Sequence, residues 1–327
     1  MNASYRRASL ALVAGTLAAA LGTLPALAQE YPTHEIHAVC SFAAGSGADI
    51  LVRYYSDKLA KLSGRPVIVE NRAGALGVIG TDYAAKAKPD GYTILVAPIS
   101  STLAAAPFLF KKLPYDPLKD FTAVAPISSL NFVVAVSGTS SIKSIAELVS
   151  YLKSKPDQGS YGIANNTGQV TGELSNEMTG LSTLYVPYTH ATSALTDTIS
   201  GEVDFMTYDI TFLLPQARSG RVRILAVTSA ARLTTLPDVP TMAESGFPGY
   251  DLAPWWGVVV PAGTPKPIVD KLAAWFNQIT ASEETHRFLE NLATDPFPGS
   301  PESMAALIRT EIEQWGRYVR LAKIEPQ

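Results

Sequence analysis

Cysteine and histidine, the side chains most used in redox and transition-metal sites, are scarce in this chain. Of its 327 residues one is cysteine and four are histidine. A lone Cys40 excludes an intrachain disulfide, and in an oxidising compartment a free thiol is best kept buried. Cys40 falls in a strand-like run, Ile36 to Phe42, which suits that fate. His34, His37, His190 and His286 are scattered. His34 and His37 stand three apart on an expected strand, so they face opposite ways; no metal site is expected. Clusters of basic residues are also missing, which argues against nucleic acid or an anionic membrane surface as partner. Beyond the first 28 residues no apolar run is long enough to span a bilayer. Enzyme signatures fail as well. Around Gly45-Ser46-Gly47, Ala44 and Ala48 stand where a nucleophile elbow needs glycines, and Ile50 replaces the third glycine of a dinucleotide fingerprint. No phosphate loop ending in Gly-Lys-Ser/Thr occurs, so neither catalysis nor a cofactor is expected.

What is present begins with an export signal. Arg6 and Arg7 precede an uncharged stretch, Leu10 to Leu24, followed by the small-x-small site Ala26-Leu27-Ala28. That layout predicts a secretory signal peptide over 1–28, cleaved after Ala28, and a periplasmic mature chain beginning at Gln29. Ala8-Ser9-Leu10 matches a twin-arginine signal poorly, so the general route is expected. Cleavage would leave 24 basic against 29 acidic side chains, a formal charge of −5. The length that remains suits two domains.

Strand-like and helix-like segments alternate along the chain. Glu35 to Phe42 reads as a buried strand, and Asp49 to Ser63 as a helix carrying Leu51, Tyr55, Leu59 and Leu62, stopped by Gly64 and Pro66. A short strand at Val67 to Val69, a helix ending near Ala87 and a strand from Tyr92 to Ala97 complete a βαβαβ unit, the mark of a parallel sheet. The pattern restarts with strands at Phe121 to Ile127 and Phe132 to Val136. Ser144 and Glu147 form a capping box for a helix ending at Pro156. Short strands follow at Tyr161 to Ala164, Tyr185 to Tyr188, Phe205 to Tyr208 and Ile224 to Val227. Late helices start at Thr264-Pro265 and Ser300-Pro301. The expected architecture is α/β and two-lobed, each lobe a mainly parallel sheet flanked by helices. Domain 1 is discontinuous, 29–130 with 251–327; domain 2 is 131–250. Two chain crossings hinge them over a cleft.

Strand-to-helix turns are where α/β folds bind ligands. In the first, Phe42-Ala43-Ala44-Gly45-Ser46-Gly47-Ala48-Asp49, small residues let N–H groups approach an anion beside a helix N-terminus. Asp49 would repel an anion unless its charge caps the loop, the plainer reading. The second is Ala164-Asn165-Asn166-Thr167-Gly168-Gln169, uncharged and rich in short hydrogen-bonding side chains. The third is Tyr188-Thr189-His190-Ala191-Thr192. A fourth, Pro98 to Thr102, offers Ser100 and Ser101. Each alone reads as helix capping; four converging turns would make a site. Tyr208 and Asp209 end a strand at the expected cleft, where Asp209 either caps a helix or receives an amine or hydroxyl. Trp255 and Trp256 stand near the second crossing, suited to stacking on an aromatic ligand or to packing in the hinge.

An ordered set of short motifs covers nearly the whole mature chain. It runs through Tyr31-Pro32, Val69-Glu70-Asn71-Arg72-Ala73-Gly74-Ala75, Lys88-Pro89-Asp90-Gly91-Tyr92-Thr93 and Leu113-Pro114-Tyr115-Asp116-Pro117. It continues with Val186-Pro187-Tyr188, Gly201-Glu202-Val203-Asp204, Leu236-Pro237-Asp238-Val239-Pro240-Thr241, Trp255-Trp256-Gly257 and Pro261-Ala262-Gly263-Thr264-Pro265. In this the chain resembles the tripartite tricarboxylate transporter receptors, the Bug family of periplasmic solute-binding proteins. The resemblance implies a type II periplasmic-binding fold and hinged closure over one ligand. It implies a ligand carboxylate held by the backbone of the first loop and of a facing loop, partly through water. It also implies membrane subunits that recognise the closed form. Three departures fall in the expected ligand loops. Ser41-Phe42-Ala43-Ala44 stands where the family has prolines; the second-lobe loop is two residues short, with Gln169 for a histidine; and Thr189-His190 replaces Lys/Arg-Gly. His190 is thus a candidate partner for a distal carboxylate. The expected protein is a monomeric receptor for a mono- or dicarboxylate, leaning to a dicarboxylate, without cofactor or metal. The alternative is a ligand sensor acting through a membrane signalling partner.

Overall fold

The computed structural model describes residues 31–155, 159–233 and 235–326. The expected signal peptide, its cleavage point after Ala28, and Pro156 lie outside the described residues. From His34 onward the chain forms one compact unit. It opens with β1 (Ile36–Cys40), α1 (Gly47–Ser63), β2 (Val67–Asn71), a short 3-10 turn (Ala75–Gly77), α2 (Val78–Ala85) and β3 (Thr93–Pro98). A π-helical turn (Ser100–Ala105), α3 (Ala106–Leu109) and β4 (Phe121–Ser129) follow. Then come β5 (Phe132–Ser137), α4 (Ile145–Ser154), β6 (Ser160–Ile163), α5 (Asn166–Thr179), β7 (Leu184–Pro187), α6 (Ala191–Ser200), β8 (Phe205–Asp209), α7 (Ile210–Arg218) and β9 (Val222–Val227). The chain closes with β10 (Trp255–Pro261), α8 (Lys266–Thr280), α9 (Glu283–Asn291) and α10 (Pro301–Leu321).

The strands form two five-stranded sheets, β2-β1-β3-β10-β4 and β7-β6-β8-β5-β9. The architecture is the two-lobed α/β one, with a refinement: both sheets are mixed. β1 runs parallel to β2 and β3, whereas β10 is antiparallel to β3 and β4. The second lobe repeats this, β6 parallel to β7 and β8, β5 antiparallel to β8 and β9. In each sheet the antiparallel strand beside the third strand follows a crossing. β5 follows the turn after β4, and β10 returns from the second lobe. Entry from the other lobe reverses the strand direction that βαβ units would have kept.

Local chemistry explains the elements that frame the cleft. Ser46 Oγ accepts the Asp49 N–H at 3.3 Å to start α1, and Gly64, at φ 69°, ends it in the left-handed region. Leu51, Val52, Tyr55 and Leu59 line its buried face at helical spacing. Asn165 Oδ1 caps α5 by accepting Gly168 N at 2.8 Å, and Asp209 caps α7 by accepting Phe212 N at 3.1 Å. In α4 Ser144 accepts Glu147 N at 3.2 Å, while the Glu147 carboxylate reaches back to Lys143 N at 2.7 Å. Cys40 is fully buried, and burial pushes its thiol up to about 12. The two crossings lie side by side, Leu130 N–H donating to Pro254 O at 2.7 Å. Across their flank lies α10. Its Met304 and Ile308 pack in the first lobe's core, and its Trp315 and Val319 pack among second-lobe residues such as Val134 and Leu174.

Candidate ligand cleft between the lobes

Four turns bring residues from both lobes to one small cavity. Phe42 comes from the turn after β1, with Ala48 at the start of α1. Pro98 and Ser101 follow β3, Asn165 and Thr167 follow β6, and Tyr208 and Asp209 end β8. Leu130 and Phe132 at the first crossing, and Trp256 just after the second, complete the lining. The cavity has about 10 Å³ open to a water-sized sphere, the room of roughly one water molecule. The lobes are therefore closed tightly over it. Asn166 Nδ2 donates across the cleft to Ser101 O at 3.2 Å. A Cβ added at Gly47 would run into Thr211 Oγ1 and stand 2.5 Å from Asp209 Oδ1, so the first turn of α1 abuts the opposite lobe through a glycine.

The polar atoms at this cavity divide into engaged and unengaged ones. Asp49 is engaged. Its Oδ2 accepts Gly45 N and Arg53 Nε, both at 2.9 Å, and its Oδ1 accepts Asn71 Nδ2 at 2.8 Å. Burial raises its pKa, but those hydrogen bonds and the Arg53 charge outweigh burial and hold the carboxyl below the usual range. Asn71 Nδ2 also holds Phe42 O at 3.0 Å, so the Glu70-Asn71-Arg72 segment orders the first turn from behind. Ser101 Oγ, Thr167 Oγ1, Asn166 Oδ1 and Trp256 Nε1 are buried and have no hydrogen-bond partner. Three of those four belong to residues of the cavity wall. An unpaired buried polar group costs about 1–3 kcal/mol, so atoms of this kind gathered at one cavity point to something that would pair with them.

No Lys, Arg or His is among the residues lining the cavity. Its ionisable groups are Asp209 and the phenol of Tyr208. Burial lifts Asp209 to about 6, while donation by Thr211 Oγ1, by Phe212 N–H and by neighbouring backbone works the other way. Burial pushes the Tyr208 phenol well up.

The candidate residues thus fall into four groups. Phe42, Ser101, Asn165, Thr167, Tyr208 and Asp209 reach the cavity. Ala43, Ala44, Gly45, Ser46 and Asp49 shape the first turn, with Ala44 and Gly45 exposed. Ser100, Asn166 and Gln169 are buried close behind, and Ala164 packs in the second lobe's core. The structure does not bring the third turn to the cavity wall. Tyr188 donates its hydroxyl to Asp197 Oδ2 at 2.6 Å, His190 and Thr192 are exposed, and Ala191 packs in the core. Trp255 packs in the first lobe's core, leaving Trp256 as the cleft tryptophan. Ala48 and Pro98 lie in turns that the sequence marked, whereas sequence reasoning missed Leu130 and Phe132 as lining residues. Apolar wall residues look like core residues in a sequence, and only the nearness of a crossing could have marked Leu130 and Phe132.

Comparison with known proteins agrees with this geometry. A Bordetella bronchiseptica protein of the UPF0065 group is 35% identical over 307 residues, covering 94% of this chain and 91% of its own. The solved periplasmic binding protein BugD superposes with a TM-score of 0.85 at 32% identity, over 91% of this chain and all of BugD. Rpa4515 of Rhodopseudomonas palustris, solved with adipate, gives 0.86 at 32% identity over 91% and 100% of the two chains. MatC of the same organism, solved with bound malate, gives 0.83 at 31% over 88% and 100%. Residues 51–324 match the family model described as the tripartite tricarboxylate transporter family receptor. With its two lobes, its closed cleft and this match over most of its length, the chain belongs to the tripartite tricarboxylate transporter receptor family, a family of solute-binding receptors and not of enzymes.

Proposed function

We propose that this protein is a periplasmic receptor that captures a small organic carboxylate between its lobes and presents it, closed, to the membrane subunits of a tripartite transporter. The observation that carries the reading is the set of unpaired buried donors, Ser101 Oγ, Thr167 Oγ1 and Trp256 Nε1, on residues from both lobes around one cavity. A carboxylate accepts several hydrogen bonds and needs no formal cation when donors surround it; bridging waters serve nearly as well as direct contacts. The adipate and malate in the two related structures are of this chemical class. Closure follows population shift: a ligand that bonds to both lobes favours the closed form by its differential affinity for that form. The space left in the cleft is too small for a carboxylate, so entry requires the lobes to part.

Asp209 refines the ligand class. A buried carboxyl opposite uncharged donors accepts a hydroxyl or ammonium group on the ligand and repels a second carboxylate placed beside it. Hydroxy acids, malate among them, and amino acids therefore suit the cleft better than dianions without a hydroxyl or ammonium group, such as phthalate. The protein acts as a monomer, with no nucleic-acid partner, as the absence of basic clusters suggests. Thermal unfolding of residues 29–327 against malate, adipate, citrate, phthalates, aspartate, glutamate and nicotinate tests the reading. A ligand at a hundredfold excess over its dissociation constant should add about 2.7 kcal/mol of stability. A folded, ligand-free protein that responds to none of them would end the carboxylate assignment.

A further inference from the structure

The polar atoms of the cleft leave its apolar walls unexplained. Phe42, Phe132, Tyr208 and Trp256 all line the cavity, and each is more than nine-tenths buried. They come from four places in the fold. Phe42 stands in the turn after β1, Phe132 follows the first crossing, Tyr208 ends β8, and Trp256 follows the second crossing. Aromatic surface thus reaches the cavity from both lobes and from between them. Two of the four rings serve each other: Phe132 and Tyr208 pack with centroids 6.2 Å apart, and Tyr208 also meets Phe212 edge-on at 5.5 Å. The rings of Phe42 and Trp256 meet no other aromatic ring among the described residues. The Phe42 ring is held from behind. Gly77, at φ 100°, lets the turn after β2 close on it, and an added Cβ there would stand 3.3 Å from Phe42 Cζ. Fixed aromatic rings without an aromatic partner, at a cavity, suit a ring on the ligand.

The polar atoms supply two chemistries beside these rings. Ser101 Oγ, Thr167 Oγ1 and Trp256 Nε1 are unpaired, and the indole N–H can only donate. Asp209 offers an acceptor. Thr211 Oγ1 and Phe212 N–H both donate to its Oδ1, which leaves Oδ2 to a ligand. No cation lines the cavity, so a second ligand carboxylate would be buried without a counter-charge. Space adds a shape. The closed cleft keeps about 10 Å³, so its walls must separate for any ligand, and a planar one needs the smallest separation. A short, wholly polar acid gains little from apolar walls, whereas a ring buries its faces against them.

We propose that the preferred ligand is an aromatic hydroxy acid with a single carboxylate, of the hydroxybenzoate class. The inference rests on the carboxylate-receptor reading and narrows it. The carboxylate takes the hydroxyl and indole donors of Ser101, Thr167 and Trp256. The ring lies against Phe42 and Trp256, and the ligand hydroxyl donates to Asp209. Phe42 and Trp256 are then specificity-determining residues that select a ring over an open chain. Asp209 selects a hydroxylated ring over a bare one, because a buried acceptor left unpaired by the wrong ligand costs affinity.

Isothermal titration of residues 29–327 tests this with benzoate, its three monohydroxy isomers, the saturated-ring counterpart of the best isomer, phthalate and malate. The best hydroxybenzoate should bind about tenfold tighter than its saturated counterpart, which is the contribution of the ring. It should bind about tenfold tighter than benzoate, which is the contribution of the hydroxyl. Phthalate should bind more weakly than either aromatic monocarboxylate. Phe42→Leu keeps apolar bulk and removes a ring, and should shrink the first ratio to about twofold. A saturated counterpart bound as tightly as the aromatic acid, or malate bound more tightly than every benzoate, overturns the ring assignment and leaves the carboxylate receptor standing. Benzoate bound as tightly as its hydroxylated forms overturns the role given to Asp209. Binding of no benzoate also overturns the proposal, and the thermal screen with the other carboxylates then decides the broader reading separately.

Discussion

The two lobes are built on one plan and equipped differently. Each has a β-α-β-α-β unit whose first strand is flanked by the second and third, and each takes an antiparallel strand that follows a crossing. The turn after the first strand opens a helix in both, α1 behind Ser46 and α5 behind Asn165. In the first lobe that turn is saturated, because Asp49 collects Gly45, Arg53 and Asn71. In the second it leaves Thr167 Oγ1 and Asn166 Oδ1 buried without partners. The first-lobe turn is thus a rigid wall, and the second-lobe turn carries side chains free to choose a ligand. The cost of leaving them unpaired is the reason a ligand that pairs them gains affinity.

Gly47→Ala should break this comparison most sharply. Its methyl has no place against Thr211 and Asp209 when the lobes are closed. Opening relieves the clash, so affinity should fall about 100-fold, roughly 2.7 kcal/mol, while the melting temperature of the free protein falls little. Isothermal titration with whichever carboxylate the thermal screen selects measures it; an unchanged affinity would mean that the binding-competent form is wider than this one.

Asp209→Asn comes next. The folded pKa of Asp209 lies near 6, above its ordinary 3.8, so the folded protein keeps a proton that the unfolded chain releases. The stability from that proton is fully present below about pH 4 and is lost as pH rises to about 6. The asparagine variant should lack this loss and gain on the order of 2 kcal/mol over wild type between pH 4 and pH 7 in urea unfolding. Parallel pH profiles of the two proteins would refute the buried titration.

Thr167→Val tests the second-lobe turn. Removing an unpaired buried hydroxyl should leave unfolding stability unchanged or slightly raised, and weaken ligand binding about tenfold, roughly 1.4 kcal/mol. Asp49→Asn, on the saturated side, should show the reverse pattern. It is expected to lose about 1 kcal/mol of stability with the Arg53 pairing, and little affinity beyond that. If Asp49→Asn harmed binding and spared stability, the two turns would have to exchange roles. Glu284→Gln is the smallest effect. It removes the surface pairing with Lys58, and its urea-unfolding midpoint should not differ from that of the wild type.

Much of the frame is legible in the sequence because periodicity and capping are local properties. The strand at Ile36–Cys40, the helix through Leu51, Tyr55 and Leu59, and the helix starts at Ser144 and Ser300 follow from side chains within one or two turns. The helix at Glu283–Asn291 was not foreseen, since it is short and strongly polar. The reversed directions of β5 and β10 were not either, because they arise from where the chain crosses. Among the candidate turns, the first, second and fourth reach the cavity, and the third, with His190, stays outside its wall. Nothing local distinguishes them, since all are strand-to-helix turns with short polar residues.

By itself, the sequence determined the α/β alternation, the family, and the shortage of cysteine and histidine. Those rest on composition, on spacing within a few residues, and on an ordered set of motifs. Tertiary structure alone decided which polar atoms are paired and which are not. Asp49 is quieted by Asn71, 22 positions away, and Asn166 reaches Ser101 O across 65. Pairing and burial are set by what the folded chain brings together, and no local pattern encodes them.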